Sequence, residues 1–407
     1  MNQYDTPRAD ALAWADGSDA PEKPNLNIGY LPLTDSASLI VAATQGFAQP
    51  YGLTLNLRRQ ASWSGVRDRL RSGELDAVQG LYGLIYGMHL GLGAPATPMA
   101  VLMGLNQNGQ SINLSNGMRD LGVTDGKALA RHVHQSGAKL CLAQTFPTGT
   151  HAMWLNYWLA AHGIHPQRDV NTQVVPPSMM VEHLRARRID GFCAGEPWGA
   201  CAIEEGMGIT VATSQSIWPD HPEKVLGTTR AFVERYPNTA RALVMAVLDA
   251  SRFIDESEAN RESTAQLIAS SEFVSAKPST LTPRMLGEYD DGAGRIWQDG
   301  HPLRFHGAGT VNVPYLSDGI WFMTQFRRWG LLDSDPDYLG IAGEVQQLEL
   351  YRQAAGALGI EVPASPMRSS ILGDGTLWDG SDPVGYAHGF ALHALAGTPS
   401  APSTIAE

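Results

Sequence analysis

The sequence predicts an α/β protein with two lobes, each built on an open sheet with helices on both faces, and a ligand cleft between the lobes. The chain has 407 residues, which is enough for two domains that each bury a core. Strand and helix patterns alternate from residue 26 to residue 79, an order typical of a sheet covered by helices on both faces. The alternation begins again near residue 138, which indicates the second lobe.

The first lobe is predicted from its hydrophobic pattern. Apolar stretches at 26–31 and 53–57 predict strands, and the segment SASLIVAATQGF between them predicts a helix. Val66 and Leu70 have helical spacing, and the short apolar stretch 76–79 that follows predicts another strand. Because strands joined through helices usually run parallel, we expect a parallel sheet.

The second lobe is predicted by successive segments: strand AKLCLAQT, helix HAMWLNYWLAAHG, strand VNTQVVP, helix PSMMVEHLRARR and strand DGFCAG. The long amphipathic helix NTARALVMAVLDASRFIDE follows. We expect the chain to cross between the lobes near 117–137 and 224–232. The predicted organisation is a disordered segment at 1–24, the first part of lobe 1 at 25–125, lobe 2 at 126–228, and the second part of lobe 1 with a C-terminal wrapping segment at 229–407.

Composition and charge exclude several classes of protein. The formal net charge of −12 argues against direct nucleic-acid binding, because phosphate contacts need a basic surface. The three cysteines are widely spaced and form no Cys-x-x-Cys motif, so we expect reduced thiols, no metal site and no cofactor. The N-terminal stretch has no apolar core of a secretory signal, so we expect a cytoplasmic protein. The uncharged run after Asp76 is interrupted by glycine and proline, so we expect no membrane insertion.

Seven stretches carry a family resemblance in a fixed order: ASWSGVRDRLRSGELDAVQG, GLNQNGQSINLS, FPTGTHAMWLNYWLAAHGI, VPPSMMVEHLRARRIDGFCAGEPW, IWPDHPEKVLG, IWFMTQFRRWG and DGTLWDGSDPVGYA. Together they resemble the nitrate and bicarbonate binding proteins of ABC importers, a branch of the type II periplasmic-binding-protein fold. The resemblance covers the chain from residue 25 to about residue 390. It implies the two-lobed fold described above, with the ligand held between the lobes.

Two candidate ligand-binding residues lie in the first predicted lobe. Trp63 begins a helix after a strand, where its indole N–H can donate into the cleft. The alternative is that Trp63 is a core tryptophan without a ligand, and the resemblance favours the ligand-binding role. Gln110 closes a polar turn and can donate two amide hydrogen bonds. A turn glutamine is often only solvated, and again the resemblance favours binding.

The second predicted lobe supplies an anion site at a strand-to-helix turn. Thr148, Gly149 and His151 precede or begin a helix, whose first backbone N–H groups favour a monovalent oxyanion. The alternative is Thr150 as a helix cap beside a solvent-facing histidine. Gly195 ends a strand, where the lack of a Cβ lets an anion approach the backbone closely.

Lys224 is the candidate for the balancing positive charge, against the alternative of an exposed loop lysine. In the related bicarbonate binders an acidic residue and a calcium ion replace this lysine, so the resemblance implies nitrate or nitrite here, without ranking the two. Glu196 is assigned to an ion pair or a cap, since a carboxylate beside an anion is unfavourable.

The resemblance, with the expected cytoplasmic location, implies a nitrate or nitrite sensor. Such a sensor changes lobe closure on binding the anion and releases an RNA-binding antitermination protein, which controls nitrate assimilation genes. One alternative is the substrate-binding component of a nitrate ABC importer. Another is an enzyme resembling thiamine-pyrimidine synthase, although GFCAG lacks that enzyme's clustered cysteines. We expect no enzymatic activity, because the candidate site contains no general base or nucleophile.

Overall fold

The structure, a computed structural model, describes residues 19–137 and 139–395. The strands are β1 (Asn25–Tyr30), β2 (Thr54–Arg59), β3 (Ala77–Leu81), β4 (Met99–Gly104), β5 (Gln110–Ser115), β6 (Leu140–Gln144), β7 (Val170–Val174), β8 (Gly191–Gly195), β9 (Gly208–Thr213), β10 (Lys224–Thr229), β11 (Glu288–Asp290), β12 (Ile296–Gln298), β13 (Ser370–Ile371) and β14 (Leu377–Trp378).

The α-helices lie between and after these strands. They are α1 (Ala37–Thr44), α2 (Trp63–Ser72), α3 (Tyr82–Leu90), α4 (Asn116–Asp120), α5 (Gly126–Ser136), α6 (Thr150–Ala161), α7 (Met180–Arg185), α8 (Trp198–Glu204), α9 (Ser214–Ile217), α10 (Arg230–Arg235), α11 (Pro237–Glu256), α12 (Glu258–Ile268), α13 (Pro278–Leu286), α14 (Leu316–Arg328), α15 (Tyr338–Val345), α16 (Leu348–Ala357) and α17 (Pro383–His388).

Two five-stranded sheets form the centres of two lobes, as the sequence predicts. Their strand orders are β2-β1-β3-β10-β4 and β7-β6-β8-β5-β9. The sheets are mixed, so the expectation of a parallel sheet is wrong for one strand in each. β10 runs antiparallel to β3 and β4, and β5 runs antiparallel to β8 and β9. These are the strands by which the chain enters one sheet from the other, without the crossover helix that makes neighbouring strands parallel.

The chain crosses between the sheets at 105–109 and 218–223, and the two crossings lie side by side. The Leu105 N–H donates to the Lys224 carbonyl at 2.7 Å, and the Glu223 N–H donates to the Asn106 carbonyl at 3.2 Å. We expected crossings near 117–137 and 224–232, and the strand pairing differs from both. Residues 117–137 hold α4 and α5, which follow β5 in the second lobe, and β10 already belongs to the first sheet.

Buried apolar residues form one core around α1 and α11 and another that includes both lobes. The second core contains a cluster of aromatic rings from α3, α6 and α14. The ring of Trp154 lies 4.8 Å from that of Trp321, and the ring of Tyr82 lies 5.2 Å from that of Phe322. α14 therefore packs between a helix of the first lobe and a helix of the second lobe.

The C-terminal segment contacts the second lobe as well as α14. The Tyr157 hydroxyl on α6 donates to the Asp374 carboxylate at 2.8 Å, and the Gly373 N–H donates to the Ile217 carbonyl at 2.6 Å. The predicted C-terminal wrapping segment therefore contacts the second lobe in addition to α14. The aromatic residues of α6 give it an apolar surface on which to pack.

Residues 19–24 are anchored to the first lobe, contrary to the predicted disorder of 1–24. The Glu22 carboxylate accepts hydrogen bonds from the N–H groups of Asn238 and Thr239 at 3.0 and 2.9 Å, in the first turn of α11. The Lys23 ammonium lies 2.5 Å from the Asp76 carboxylate. Residues 1–18, to which the prediction also applied, lie outside the described residues.

Two further findings concern the cysteines and the possibility of a membrane-spanning helix. The cysteines are free thiols, and Cys193 and Cys201 are buried. Within 19–137 and 139–395, no helix combines the length and the apolar character needed to cross a membrane.

Candidate ligand-binding site between the lobes

Polar side chains from both lobes meet where strands end and the chain crosses between the sheets. From the first lobe come Asp35, in a short 3-10 helix after β1, and Trp63, the first residue of α2. The second lobe contributes His151, in the first turn of α6, and Gln110, the first residue of β5. We expected Gln110 in the first lobe, but β5 pairs with β8 and β9 in the second sheet. Lys224, the first residue of β10, lies at the end of the second crossing. Ligands of open α/β sheets commonly bind at such strand ends.

Lys224, the residue predicted to supply positive charge to a ligand, lies between two carboxylates. Its ammonium is 2.9 Å from the Asp35 carboxylate and 2.8 Å from the Glu223 carboxylate. All three side chains are at most 2% exposed. Burial alone would lower the pKa of Lys224, but the two carboxylates outweigh it and raise that pKa above its usual value. The lysine is therefore protonated and is not the exposed loop residue of the alternative interpretation.

Gln110 connects Asp35 to His151 across the lobes. Its amide N–H donates to the Asp35 carboxylate at 3.4 Å, and its amide oxygen faces the His151 Nε2. With the amide in this orientation, Nε2 carries the proton and donates, while Nδ1 accepts from the Thr145 hydroxyl. Burial, then the charges of Lys224 and His221, hold the pKa of His151 well below its usual value. His151 is thus a neutral donor.

Trp63 is a core tryptophan, and its predicted role in ligand binding stays a prediction. Its side chain is 1% exposed and belongs to the hydrophobic core. Its indole N–H nevertheless has no hydrogen-bond partner, and the Lys224 ammonium lies 5.9 Å from the ring centroid. A buried donor without a partner carries a desolvation cost that a ligand acceptor would remove.

Gly195 lies opposite Gln110 in the pairing of β8 with β5. A Cβ added at Gly195 would lie 3.0 Å from the Gln110 amide oxygen and 3.3 Å from the Asp35 carboxylate. The absence of a Cβ therefore leaves room for these two side chains, and the predicted approach of an anion to Gly195 stays a prediction. Glu196 has the predicted cap and ion pair: its carboxylate accepts from the Ala200 N–H at 3.2 Å and lies 3.5 Å from Arg284 Nε.

Thr148 and Gly149 face the first lobe instead of the Lys224 ammonium. A Cβ at Gly83 of α3 would lie 2.0 Å from the Thr148 carbonyl oxygen, so this glycine permits the close packing of the two lobes. The Gly149 N–H donates to the Phe146 carbonyl at 2.9 Å, and is thus already paired. Their predicted contact with an anion stays a prediction.

Sequence reasoning missed Asp35 and Glu223. Glu223 accepts from the Thr150 hydroxyl and from the Trp154 indole N–H, each at 2.9 Å. Thr150 is therefore not the side-chain cap of α6; the helix begins after Gly149. Two features could have identified the carboxylates: Glu223 directly precedes Lys224, and Asp35 follows a strand end as the predicted ligands do.

The two sheets and the two adjacent crossings define the fold class of this chain, which is the two-lobed class of periplasmic binding proteins. Its members hold a ligand between two lobes of similar topology. The chain belongs to the NMT1-like family, whose family model matches residues 19–269.

Relatives match nearly the whole chain. The nitrate/nitrite binding protein NrtA of Synechocystis is 35% identical over 393 residues, which cover 93% of this chain and 88% of NrtA. The crystal structure of the periplasmic nitrate-binding protein NrtA from Synechocystis superposes with a TM-score of 0.87 at 34% identity, covering 92% of this chain and 100% of that one. The bicarbonate transport ATP-binding protein CmpC of Synechococcus elongatus is 34% identical over 379 residues, covering 91% of this chain and 56% of CmpC. The identities to the nitrate-binding and the bicarbonate-transport relatives are therefore similar, so identity alone does not separate the two ligands.

Proposed function

We propose that the protein binds nitrate or nitrite between its lobes and acts as the substrate-binding component of an ABC importer. The observation that carries this proposal is the buried interlobe cluster of Lys224, Gln110, His151 and Trp63. It supplies one ammonium, a neutral imidazole N–H, an amide and an indole N–H without a partner. Similarity to NrtA along both lobes supports the same ligand class.

The donor set suits a small monovalent oxyanion. Charge-assisted hydrogen bonds from an ammonium are stronger than neutral ones, and the neutral donors fix the orientation of the anion. In the described part of the chain, no group of three or more His, Cys, Asp or Glu side chains is arranged to hold a metal ion. Together with Lys224, this supports nitrate or nitrite over a bicarbonate site that includes calcium.

The relatives favour the importer over the cytoplasmic sensor that the sequence suggested. Two of them are named for nitrate binding and for nitrate import, the second being the nitrate import ATP-binding protein NrtC of Synechocystis. The sensor, its antitermination partner and a cytoplasmic location stay predictions. Both functions require the same anion site, so the first experiment addresses that site.

The test is calorimetric titration with nitrate, nitrite, sulfate, and bicarbonate plus calcium, each in a separate run. We expect one-to-one binding of nitrate or nitrite only. Gly195→Ala should weaken it, because the new Cβ would lie 3.0 Å from the Gln110 amide oxygen and narrow the site. Gly356→Ala is the matched control, since a Cβ there meets nothing within 4 Å.

Either of two results would contradict the proposal. The first is heat from bicarbonate plus calcium with none from nitrate or nitrite. The second is unchanged nitrate affinity in Gly195→Ala, with a melting temperature equal to that of the wild type. A nitrate-dependent interaction of the protein with a permease in membrane vesicles would then support the importer, whereas nitrate-dependent release of an RNA-binding protein would support the sensor.

A further inference from the structure

Asp35 is held by donors that a small oxyanion at this site would also use. Its carboxylate is planar and carries one negative charge, like nitrate. It receives hydrogen bonds from the Lys224 ammonium and from the side-chain amides of Gln79 and Gln110. Two of these three donors, Lys224 and Gln110, are the groups that the proposed function assigns to the ligand.

The cluster already has a net negative charge, so a further buried anion requires an additional positive charge or the loss of a negative one. Asp35 and Glu223 carry two negative charges against the single positive charge of Lys224, and all three are at most 2% exposed. An added nitrate would bring three negative charges around one ammonium. Burying uncompensated charge is costly, and the group that can become neutral does so.

Asp35 is the group best placed to take up a proton. The Glu223 carboxylate keeps donors that a bound anion need not disturb, namely the Thr150 hydroxyl and the Trp154 indole N–H. Asp35 instead shares its donors with the ligand. Burial already raises the pKa of its carboxyl, against the opposing effect of Lys224.

The other titratable groups around Asp35 do not offer an equivalent proton site. His151 on α6 and His221 on the second crossing are buried, and burial lowers the pKa of both, that of His221 to about 3. Cys193 on β8 is a buried thiol whose pKa burial raises, so it stays uncharged. Glu196, after β8, caps α8 and lies beside Arg284.

We propose that the Asp35 carboxylate is an internal competitor of the ligand, which nitrate displaces from Lys224 and Gln110 as Asp35 takes up one proton from solvent. The proposal rests on the proposed function. Asp35 thereby determines the affinity for nitrate and its pH dependence, although other residues donate the hydrogen bonds to the anion. The proton balances the charge that nitrate adds, so the net charge of the cluster is the same before and after binding.

Linkage fixes the sign of the pH effect. Nitrate at Lys224 removes the counter-charge of Asp35 and adds a like charge, so the pKa of Asp35 is higher with the anion bound than without it. Binding therefore takes up a proton in the window between these two pKa values. Within it the dissociation constant rises up to tenfold per pH unit as pH increases. Nitrate itself keeps its charge throughout, so the ligand does not contribute to this dependence.

Calorimetry of the wild-type protein tests the proton directly. Nitrate is titrated at one pH in Hepes and in Tris, whose ionisation enthalpies differ, and the apparent enthalpies give the number of protons taken up. We expect uptake that approaches one proton, and a dissociation constant that rises with pH between 5.5 and 8.5. Nitrate binding with no proton uptake across that range would overturn the proposal.

Asp35→Asn provides the second measurement. The amide keeps the shape of the side chain and removes its charge, so nitrate should bind at least tenfold more tightly at pH 8.5 and without pH dependence. Asp318→Asn is the matched control, because Asp318 is another buried carboxyl whose pKa burial raises, paired with Arg368 outside the cluster. Weaker or still pH-dependent binding in Asp35→Asn would refute the role of Asp35. Failure of the wild type to bind nitrate at any pH would instead refute the proposed function.

Discussion

Replacing Lys224 by methionine should destabilise the protein through the two carboxylates that it leaves behind. The ammonium lies 2.9 Å from Asp35 and 2.8 Å from Glu223, and none of the three groups is more than 2% exposed. Removing one partner of a buried ion pair costs about 3–5 kcal/mol. Methionine nearly preserves the volume of the lysine stem, so little of this loss comes from a cavity. We therefore expect the free energy of unfolding to fall by about 3–5 kcal/mol at pH 7.

The pH dependence separates this electrostatic cause from a packing defect. Without Lys224, the effect of burial on Asp35 is no longer opposed, so the pKa of its carboxyl in the folded state lies further above the unfolded value, which is about 4. The folded state then binds more protons than the unfolded chain, so stability decreases as pH rises through this window. The deficit of Lys224→Met should be largest at pH 8.5 and smaller at pH 5. A packing defect would give the same deficit at both.

Urea unfolding followed by tryptophan fluorescence at pH 5, 7 and 8.5 measures these values. The double variant Lys224→Met with Asp35→Asn removes one carboxylate and should recover part of the lost stability. Lys277→Met is the control, because Lys277 pairs with Glu204 at 2.7 Å but is 71% exposed, and exposed pairs contribute little. A loss in Lys224→Met no larger than in Lys277→Met, or no recovery in the double variant, would refute this reasoning.

Two further substitutions test the site and the N-terminal anchor. Trp63→Phe should weaken nitrate binding about tenfold in calorimetry, because it removes a buried N–H that has no partner in the protein. It should also lower the melting temperature, because the smaller ring leaves part of the buried indole volume empty. Equal affinity would show that this N–H does not contact the anion. Glu22→Gln should lower the free energy of unfolding, measured in urea, by roughly 0.5 kcal/mol through loss of the charge at the start of α11. Hydrogen bonds from Thr239 and Asn238 outweigh burial and lower the pKa of Glu22, so the difference should be present near neutral pH and disappear on acidification. A difference that persists in acid would exclude the charge as its cause.

The sequence allowed the fold class and most of the interlobe cluster to be predicted, because both depend on local patterns. Strand ends, helix starts and a family resemblance located Trp63, Gln110, His151 and Lys224. The surroundings of Lys224 depend on pairing between distant segments, since Asp35 reaches it only because β10 returns to the first sheet and pairs beside β3, the neighbour of β1. Local periodicity carries no information about such contacts.

The same limit explains the strand directions. β10 pairs with β3 and β4, from which the entire second lobe separates it in sequence. The hydrophobic pattern of such a strand is the same for parallel and antiparallel pairing. The pattern therefore predicts neither the sheet that β10 joins nor the direction in which it runs. The start of α11, by contrast, is capped by Glu22, a residue from the segment that composition alone suggested was disordered.

The position of β10 between β3 and β4 has a consequence for how the chain folds during synthesis. β5 to β9 form an uninterrupted stretch, so the second sheet has all its strands once residue 213 has been made. The first sheet still lacks β10 at that time, so β3 and β4 each have an exposed edge whose backbone hydrogen-bonding groups are unpaired. Until residue 229 emerges, these edges are where a nascent chain can mispair or be held by a chaperone. During synthesis, the strands of the second sheet are therefore complete before those of the first sheet, although the first sheet begins nearer the N-terminus.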